Sequence, residues 1–358
     1  MYRFVASVSG KKHMQPSSIL ESEIYQQPDV LARLLDNPAI PAVAKAIRDA
    51  DPDFLVIAAR GTSDHAANYA QYLFGIQAGL PVSLAAPSIS TIYGHPPRYR
   101  KAVVIGISQS GHSVDVAQVV TDAAAQGALT ITITNDANSL MAKAAAHHIA
   151  LNAGEERSVA ASKTYTAQVM ALSLIVAHLL GKDDMLAELR QLPDMVSQVL
   201  GLAPTIKQRA ERFRFMTRCV TLGRGYNYAT AYEIALKLEE LTYVTAEPYS
   251  SADFRHGPKA MVEPDFPVIA IAPRGATYAD MLALIKELAE RGADLTVIST
   301  EDEALATAQL PLHLPAVPEW LSPIVAVVPG QLLAMATAAA KGHNLDKPRG
   351  LTKVTVTR

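Results

Sequence analysis

The chain has 358 residues, of which 49% are hydrophobic and 18% charged, enough apolar side chain to build sizeable cores and to argue against disorder. At about 150 residues per domain, this length predicts two domains. The 32 basic and 34 acidic residues give a net charge of −2, so no broad basic field is present and we expect no nucleic-acid partner.

Cys219 is the only cysteine, which excludes an internal disulfide framework and a cysteine-based metal centre. It lies at the start of an apolar run, so we expect it in the core. The N-terminus lacks the pattern of a signal peptide. The most apolar stretch, 164–180, is shorter than the ~20 residues of a membrane span. We therefore expect a soluble, cytoplasmic protein that has no membrane partner.

Short apolar strands alternate with amphipathic helices, which predicts an α/β fold with parallel sheets. The first half predicts, in order, strand 54–59, helix 66–78, strand 102–107, helix 113–126, strand 129–134 and a long buried helix 156–180. The second half predicts strand 220–223, helix 229–242, strand 268–272, helix 278–291 and strand 295–299. The strands are apolar throughout, as expected when helices cover both faces of a sheet.

The two halves repeat each other. The dipeptide Arg60-Gly61 has its counterpart in Arg224-Gly225, and the turn at 126–127 has its counterpart at 291–292. The two pairs of matching segments are separated by nearly the same number of residues, which indicates a duplicated domain. We expect the following division: an N-terminal segment 1–28, a first domain 29–195, a second domain 205–340 and a tail 341–358.

A polar loop follows the second predicted strand of the first half and precedes a helix. It carries Ser108, Gln109, Ser110 and Ser113, whereas the second half has Ala-Pro-Arg-Gly-Ala at 272–276. A helix N-terminus favours an anion, and hydroxyls and an amide add donors. The loop lacks the glycine spacing of dinucleotide and P-loop sites, so one phosphate on a small molecule fits it better. The alternative is an ordinary helix cap made by Ser110 or Ser113.

This loop, within a duplicated α/β chain, resembles the sugar isomerase (SIS) domains, and the order of motifs is similar to the isomerase half of glucosamine-6-phosphate synthase. The motifs are Arg60-Gly-Thr-Ser63, Ser108-Gln-Ser-Gly111, Val159-Ala-Ala-Ser-Lys163, Gly223-Arg-Gly-Tyr226, Glu233-x3-Lys237-x2-Glu240, Arg255-His-Gly-Pro258 and Pro348-Arg-Gly-Leu-Thr-Lys353. The resemblance implies two tandem SIS domains and a C-terminal tail. Each domain would be a parallel sheet between helices, in a flavodoxin-like three-layer αβα arrangement.

The resemblance also implies a sugar-phosphate site. Its phosphate would be held by Ser108, Gln109, Ser110 and Ser113, with Ser63 and the backbone of Val159 near the sugar. Ser113 stands where a threonine is common, a change that keeps the hydroxyl. Ala161 stands where the synthase has a serine that contacts the sugar, so that contact is in doubt in this chain.

Glu233, Lys237 and Glu240 are spaced to share one helix face. Such spacing is more often a solvated salt-bridge ladder. The resemblance instead assigns to Glu240 the transfer of a proton between carbons 1 and 2 of the open-chain sugar, and to Lys237 the holding of that carboxylate. His256 would open the sugar ring, reaching in from a neighbouring subunit, so a homodimer is implied.

Lys353 matches a tail lysine that forms a Schiff base with the sugar in the synthase. Such a lysine must be partly deprotonated, and the alternative is a charged lysine on a disordered tail. Leu351 and Val354 favour a docked tail. The remaining histidines form no metal-like cluster, since His147 and His148 are adjacent. We expect no metal and no other cofactor.

The synthase takes ammonia from glutamine through a separate domain with an N-terminal cysteine, and we expect this chain to lack that domain and glutaminase activity. The expected reaction is glucosamine-6-phosphate deamination, which gives fructose 6-phosphate and ammonia, as in SIS-type deaminases. One alternative is an enzyme for another amino-sugar phosphate, a galactosamine 6-phosphate deaminase or isomerase or a fructosamine 6-phosphate deglycase. The other is a non-catalytic sugar-phosphate sensor.

Overall fold

A computed structural model describes residues 18–353 of the chain. These residues form two five-stranded sheets in which every pairing is parallel. The first sheet contains β1 (Phe54–Ala58), β2 (Val82–Leu84), β3 (Ala102–Ser108), β4 (Leu129–Thr134) and β5 (His147–Ala150). The second contains β6 (Arg218–Gly223), β7 (Thr245–Ser250), β8 (Pro267–Ile271), β9 (Asp294–Ser299) and β10 (Leu310–His313).

Helices cover both sheets. Those of the first half are α1 (Ile19–Tyr25), α2 (Gln27–Leu34), α3 (Ala39–Ala50), α4 (Thr62–Leu73), α5 (Ser88–Thr91), α6 (Val114–Ala125), α7 (Leu140–Ala144) and α8 (Lys163–Leu180). Three linker helices follow: α9 (Asp183–Leu189), α10 (Leu192–Leu200) and α11 (Ala203–Arg209). The second half adds α12 (Tyr228–Thr242), α13 (Ser251–Arg255), α14 (Tyr278–Glu290), α15 (Asp302–Leu305) and α16 (Ser322–Ala340). A π-helical turn, Phe74–Ala78, extends α4, and 3₁₀ turns span Ala210–Phe213, Gly225–Asn227, Pro258–Met261 and Glu319–Leu321.

Both sheets have the same strand order. Numbered within its own half, each sheet runs second, first, third, fourth, fifth. This is the flavodoxin-like order, and it confirms both the predicted duplication and the predicted three-layer fold. After β1 the chain forms β2 on one side of that strand, and after β2 it crosses back to form β3 on the other side. The switch point of the sheet therefore lies between β1 and β3. Ligands of doubly wound sheets bind beside the carboxyl ends of the strands at that point.

The interior is built on β3, which is wholly buried, and on two apolar helices. In α8, every residue from Lys163 to Ala177 is buried. The segment Glu319–Ala340 is, among residues 18–353, the one helix long and apolar enough to cross a membrane. Its most apolar window is 83% buried in the protein, which is typical of a core helix. Helix α12 packs on α16 and also on α4, which joins the two halves.

Cys219 is buried at the start of β6, as expected. Burial raises the pKa of its thiol to about 12, so the thiolate is scarce at neutral pH. The cysteine is therefore a packing residue.

Two predicted helices have different bounds. The predicted helix 156–180 begins only at Lys163, because the buried carboxylate of Glu156 accepts the backbone N–H groups of Ser162 and Thr164 at 3.0 and 3.1 Å. Glu156 thus satisfies donors that the first turn leaves unpaired, and 156–162 stays an irregular loop. The predicted helix 66–78 begins earlier, at Thr62, just after Gly61 in the left-handed region with φ of +53°.

Candidate functional site

A cavity of about 350 Å³ lies beside the carboxyl ends of β1 and β3, at the switch point of the first sheet. Its wall brings together residues from both halves and from the tail. Eight predicted site residues line it: Ser63, Ser108, Gln109, Ser110, Ser113, Val159, Glu240 and Lys353. Lys237 lies buried beside Glu240. His256 is exposed and does not line this cavity within the described part of the chain.

The serine loop, residues 108–113, is tightly built. Gly111 has φ of +71°, and a Cβ there would lie 2.2 Å from the Ser139 hydroxyl, so only glycine fits. The Ser108 hydroxyl accepts the backbone N–H of Gly111 at 3.1 Å. Ser113 occupies the N-cap position of α6, yet its side chain makes no capping bond and instead lies 3.3 Å from the Ser108 hydroxyl. An ordinary cap at Ser113 was therefore the wrong alternative, since the hydroxyl is turned to the cavity wall rather than to its own helix.

The opposite wall comes from the start of α4 and the loop before α8. The Ser63 hydroxyl accepts a 3.0 Å hydrogen bond from the Gln168 amide, which orients it toward the cavity. Val159 and Ala161 form the adjoining surface. Ala161 presents only a methyl group where the resemblance would place a serine.

Glu240 is held by a buried lysine. Lys237 donates to the Glu240 carboxylate at 2.6 Å and to the Thr62 hydroxyl at 3.1 Å. Burial lowers the pKa of Lys237, but the Glu233 and Glu240 carboxylates outweigh burial and the net pKa is raised. Lys237 is therefore a fixed cation beside Glu240, whose side chain is 21% exposed at the cavity. These residues do not form a solvated ladder.

The charged row continues away from the cavity. Glu233, fully buried, lies 3.4 Å from Lys237 and accepts from the Thr62 hydroxyl at 3.2 Å. Its second oxygen lies 2.7 Å from Nδ1 of His65. A buried carboxylate needs such partners, because an unpaired charge in the interior is costly. His65, Glu233, Lys237 and Glu240 thus form one row, in which an imidazole and a lysine alternate with two carboxylates.

Lys353 reaches the cavity from the tail and ends on a buried carboxylate. Its ammonium donates to Glu156 at 3.1 Å and to the backbone carbonyl of Ser158 at 2.6 Å. Burial alone would raise the pKa of Glu156, but Lys353 and hydrogen bonds from Ser162 and Thr164 outweigh it and hold the pKa below its usual value. The tail is therefore docked by an ion pair at the site.

Polar contacts also hold the rest of the tail. The Arg349 backbone N–H donates to the Tyr243 hydroxyl at 2.6 Å, and its guanidinium stacks 4.4 Å from the Tyr243 ring. The tail is docked as far as Lys353, as expected, but Leu351 is 42% exposed, so the polar contacts of Arg349 and Lys353 hold it. Leu351 lines the cavity together with Val159 and Ala161. Val354 lies outside the described residues.

His256 follows α13, and its neighbour Arg255 is fixed by an ion pair to Asp280 at 2.8 Å. The segment is ordered, but the imidazole faces outward from its own chain. Its predicted role in a neighbouring subunit's site stays a prediction.

Sequence reasoning missed three residues of the site, Arg60, His65 and Glu156, as functional side chains. Their partners lie 55, 168 and 197 positions away along the chain. No local pattern marks such pairs, and only the folded chain brings them together. A weak signal was present, since Arg60 is the first residue of the motif that ends at Ser63 and His65 lies two residues after that motif.

Comparison with known proteins adds to this geometry. The SIS domain family matches residues 50–178 and 216–341. The chain belongs to the SIS domain family. The glutamine–fructose-6-phosphate aminotransferase (isomerizing) of Gloeobacter violaceus is 37% identical over 349 residues, which cover 92% of this chain and 57% of that protein. The chain thus spans little more than half the length of the curated relatives that it matches.

Two solved structures resemble the whole fold. A protein of Silicibacter pomeroyi described as a phosphosugar isomerase is 33% identical, with a TM-score of 0.83 over 92% of this chain and 100% of that one. The glucosamine-6-phosphate deaminase of Thermotoga maritima has a TM-score of 0.77 at 20% identity, covering 95% and 100% of the two chains. At that identity, the second likeness concerns the fold alone.

Proposed function

We propose that this SIS protein is an enzyme that deaminates glucosamine 6-phosphate to fructose 6-phosphate and ammonia. The observation that carries the proposal is the convergence on one cavity of an anion-binding loop (108–113), a carboxylate held by a buried lysine (Glu240) and the tail lysine Lys353. An anion loop selects a phosphorylated substrate, and the carboxylate moves a proton.

The serine loop would bind the 6-phosphate. The N-terminus of α6 supplies backbone donors and a favourable dipole end, and the hydroxyls of Ser108, Ser110 and Ser113 add neutral donors. Ser63, across the cavity, would contact the sugar itself. This places carbons 1 and 2 toward Glu240.

The chemistry then follows in four steps. His256 of a neighbouring subunit opens the ring by moving a proton between the ring oxygen and the 1-hydroxyl. Glu240 removes the proton on carbon 2 and returns it to carbon 1, which converts the 2-amine into a ketimine. Water adds to carbon 2, and ammonia leaves as the ketone forms. Lys237 keeps the Glu240 carboxylate in place throughout.

The proposed direction needs no co-substrate besides water, because the ketimine at carbon 2 is hydrolysed as ammonia leaves. The homodimer that shares His256 belongs to the same proposal, which the outward-facing imidazole supports.

Ammonia release from glucosamine 6-phosphate, galactosamine 6-phosphate and fructosamine 6-phosphate, measured side by side, tests the proposal. We expect fastest release from glucosamine 6-phosphate and none with the Glu240→Gln variant. Faster release from another sugar would reassign the substrate. Tight binding of all three without ammonia release would make the protein a sugar-phosphate sensor.

A further inference from the structure

Arg60 lines the cavity just after the end of β1, and its side chain is half exposed. Its Nε donates to the Asp115 carboxylate at 2.8 Å, and that carboxylate is fully buried while the arginine side chain is 47% exposed. Asp115 stands in the first turn of α6, directly behind the serine loop. The guanidinium is therefore fixed beside the N-terminus of α6, where the phosphate position lies.

The Asp115 contact uses only part of the guanidinium. Nε is engaged, and among residues 18–353 no hydrogen bond uses the two Nη groups, which leaves them as donors for a ligand. The other carboxylate oxygen of Asp115 accepts the Val116 backbone N–H at 2.9 Å, so the aspartate is held from both sides. A planar fork held in this way is pre-organised for a second anion.

The charge of a sugar phosphate favours a cation at this end. The loop residues that line the cavity offer hydroxyls, an amide and backbone donors, and His112 of the same loop lies outside the lining, 3.4 Å from Asp136, whereas a sugar phosphate carries nearly two negative charges at neutral pH. Among the described residues that line the cavity, the other cation is Lys353, whose ammonium is already held by Glu156 and Ser158. Arg60 is the cation that stands next to the loop.

We propose that Arg60 is a phosphate-binding residue, which donates to the 6-phosphate through its Nη groups, and that Asp115 is the residue that positions it. The inference rests on the proposed phosphate site and adds the group that gives it selectivity for phosphorylated sugars. Because Asp115 is fully buried, Arg60 also neutralises that carboxylate, and the experiment has to separate this structural role from phosphate binding.

The test compares Arg60→Met, Arg60→Lys and a control, Arg100→Met, at an exposed arginine before β3. Calorimetric titration with glucitol 6-phosphate, an open-chain sugar phosphate that cannot be deaminated, measures binding without turnover. We expect Arg60→Met to weaken binding about 10- to 100-fold, the range of a lost hydrogen bond to a charged group. The affinity of Arg60→Lys should lie between those of the wild type and Arg60→Met, because lysine keeps the charge but lacks the planar guanidinium. The control should bind as tightly as the wild type.

Steady-state kinetics distinguishes a phosphate-binding role of Arg60 from a purely structural role. With glucosamine 6-phosphate, Arg60→Met should raise KM by a similar factor and change kcat less than about threefold, whereas a purely structural loss would lower both the active fraction and kcat. If Arg60→Met leaves Asp115 unpaired and unfolds the protein, the Arg60→Met/Asp115→Asn double variant removes that charge and carries the same expectation.

The outcomes distinguish this inference from the proposed function. Arg60-dependent binding of glucitol 6-phosphate, in a protein that releases no ammonia, would refute the deaminase and support the inference. Ammonia release with an unchanged KM in Arg60→Met would overturn the inference and leave the deaminase standing.

Discussion

The ion pair between Lys353 and Glu156 predicts that the tail stabilises the protein through one buried carboxylate. The Lys353→Met variant loses a charged hydrogen bond, worth about 1.5–3 kcal/mol. Because 24% of the lysine side chain is exposed, we expect the lower end, about 1.5 kcal/mol. Glu156 keeps its bonds from Ser162 and Thr164, so its charge is not left without partners.

The Glu156→Gln variant should cost more, about 2.5 kcal/mol. An amide can still accept the two backbone N–H groups, but its NH₂ group faces the Lys353 ammonium, and two donors repel each other. Once the glutamine is present, Lys353 keeps only its hydrogen bond to the Ser158 carbonyl, so the double variant should cost little more than Glu156→Gln alone. The coupling energy is then at most about 1.5 kcal/mol and should still exceed the ~0.5 kcal/mol by which independent sites depart from additivity.

Urea denaturation of the two single variants and the double variant measures this coupling. Glu155→Gln and Lys347→Met are matched controls, since both side chains are exposed, and each should change the unfolding free energy by less than about 0.5 kcal/mol. Additive effects of Glu156→Gln and Lys353→Met would refute the ion pair as the tail anchor.

The ion pair between Lys353 and Glu156 also makes the stability of the folded protein depend on pH. The pKa of Glu156 is lower in the folded protein than its ordinary value of 4.5, so the unfolded chain takes up a proton first as the pH falls. The stability due to this carboxylate is therefore complete above about pH 4.5 and is lost as the pH falls toward the folded pKa. The difference between wild type and Glu156→Gln should be constant from pH 7 to 5.5 and shrink below pH 4.5. A difference that grows on acidification would contradict this sign.

Four further predictions concern catalysis. Glu240→Gln should stop solvent deuterium from entering carbon 1 while sugar-phosphate binding stays within about tenfold, and normal deuterium incorporation would remove Glu240 as the base. Ser110→Ala and Ser113→Ala should each raise KM, by a lost bond of about 1.5–3 kcal/mol to a charged group, and equal turnover of unphosphorylated glucosamine would contradict the phosphate site. His65→Leu should lower kcat more than it raises KM. His65→Asn should recover most of the lost kcat, because asparagine can still donate a hydrogen bond to Glu233. Equal kcat values in the two variants would show that His65 does not act through the charged row that ends at Glu240. Refolded mixtures of Glu240→Gln and His256→Ala chains should recover roughly a quarter of the wild-type sites, by random pairing in a two-fold dimer, whereas zero recovery with heterodimers seen by mass spectrometry would place His256 in its own subunit's site.

The interior strands could be predicted from the sequence, and the edge strands could not. Strands β1, β3, β4, β6, β8 and β9 are almost wholly buried and rich in apolar and β-branched residues, because helices cover both faces of each sheet. The missed strands, β2, β5, β7 and β10, lie at the sheet edges and are less buried. Only β10 alternates regularly, and over four residues, which is too short for periodicity to distinguish it from a loop.

The residues of the site also divide into those that could be predicted from the sequence and those that could not. Residues within one motif, such as Ser108 and Ser113, could be predicted because one loop and one helix start place them together. The tail contact of Lys353 required two elements 195 or more positions apart, and its partner Glu156 sits in a loop that the sequence predicted as helix. Leu351 and Val354 favoured a docked tail in the sequence, and in the structure the contacts that dock it as far as Lys353 are polar ones.

The duplication raises the question of why the second half lacks an anion loop of its own. A crevice of about 460 Å³ lies at the equivalent place in the second sheet, beside Arg224 and Gly225 after β6 and beside Ala276 and Thr277 before α14. Its backbone donors are already taken. The Glu319 carboxylate accepts the N–H groups of Ala276 and Thr277 at 2.9 and 3.4 Å.

Glu319 thus stands where a phosphate would stand in the first half. A carboxylate at a helix N-terminus satisfies the same donors and the same dipole as a bound anion. The fit is close, because a Cβ on Gly275 would lie 2.1 Å from the Glu319 carboxyl carbon. A sugar phosphate would have to displace this covalently attached carboxylate, which is always present at high effective concentration. The second repeat therefore keeps the crevice but not the anion position, and its contribution to the first cavity is the helix that carries Lys237 and Glu240.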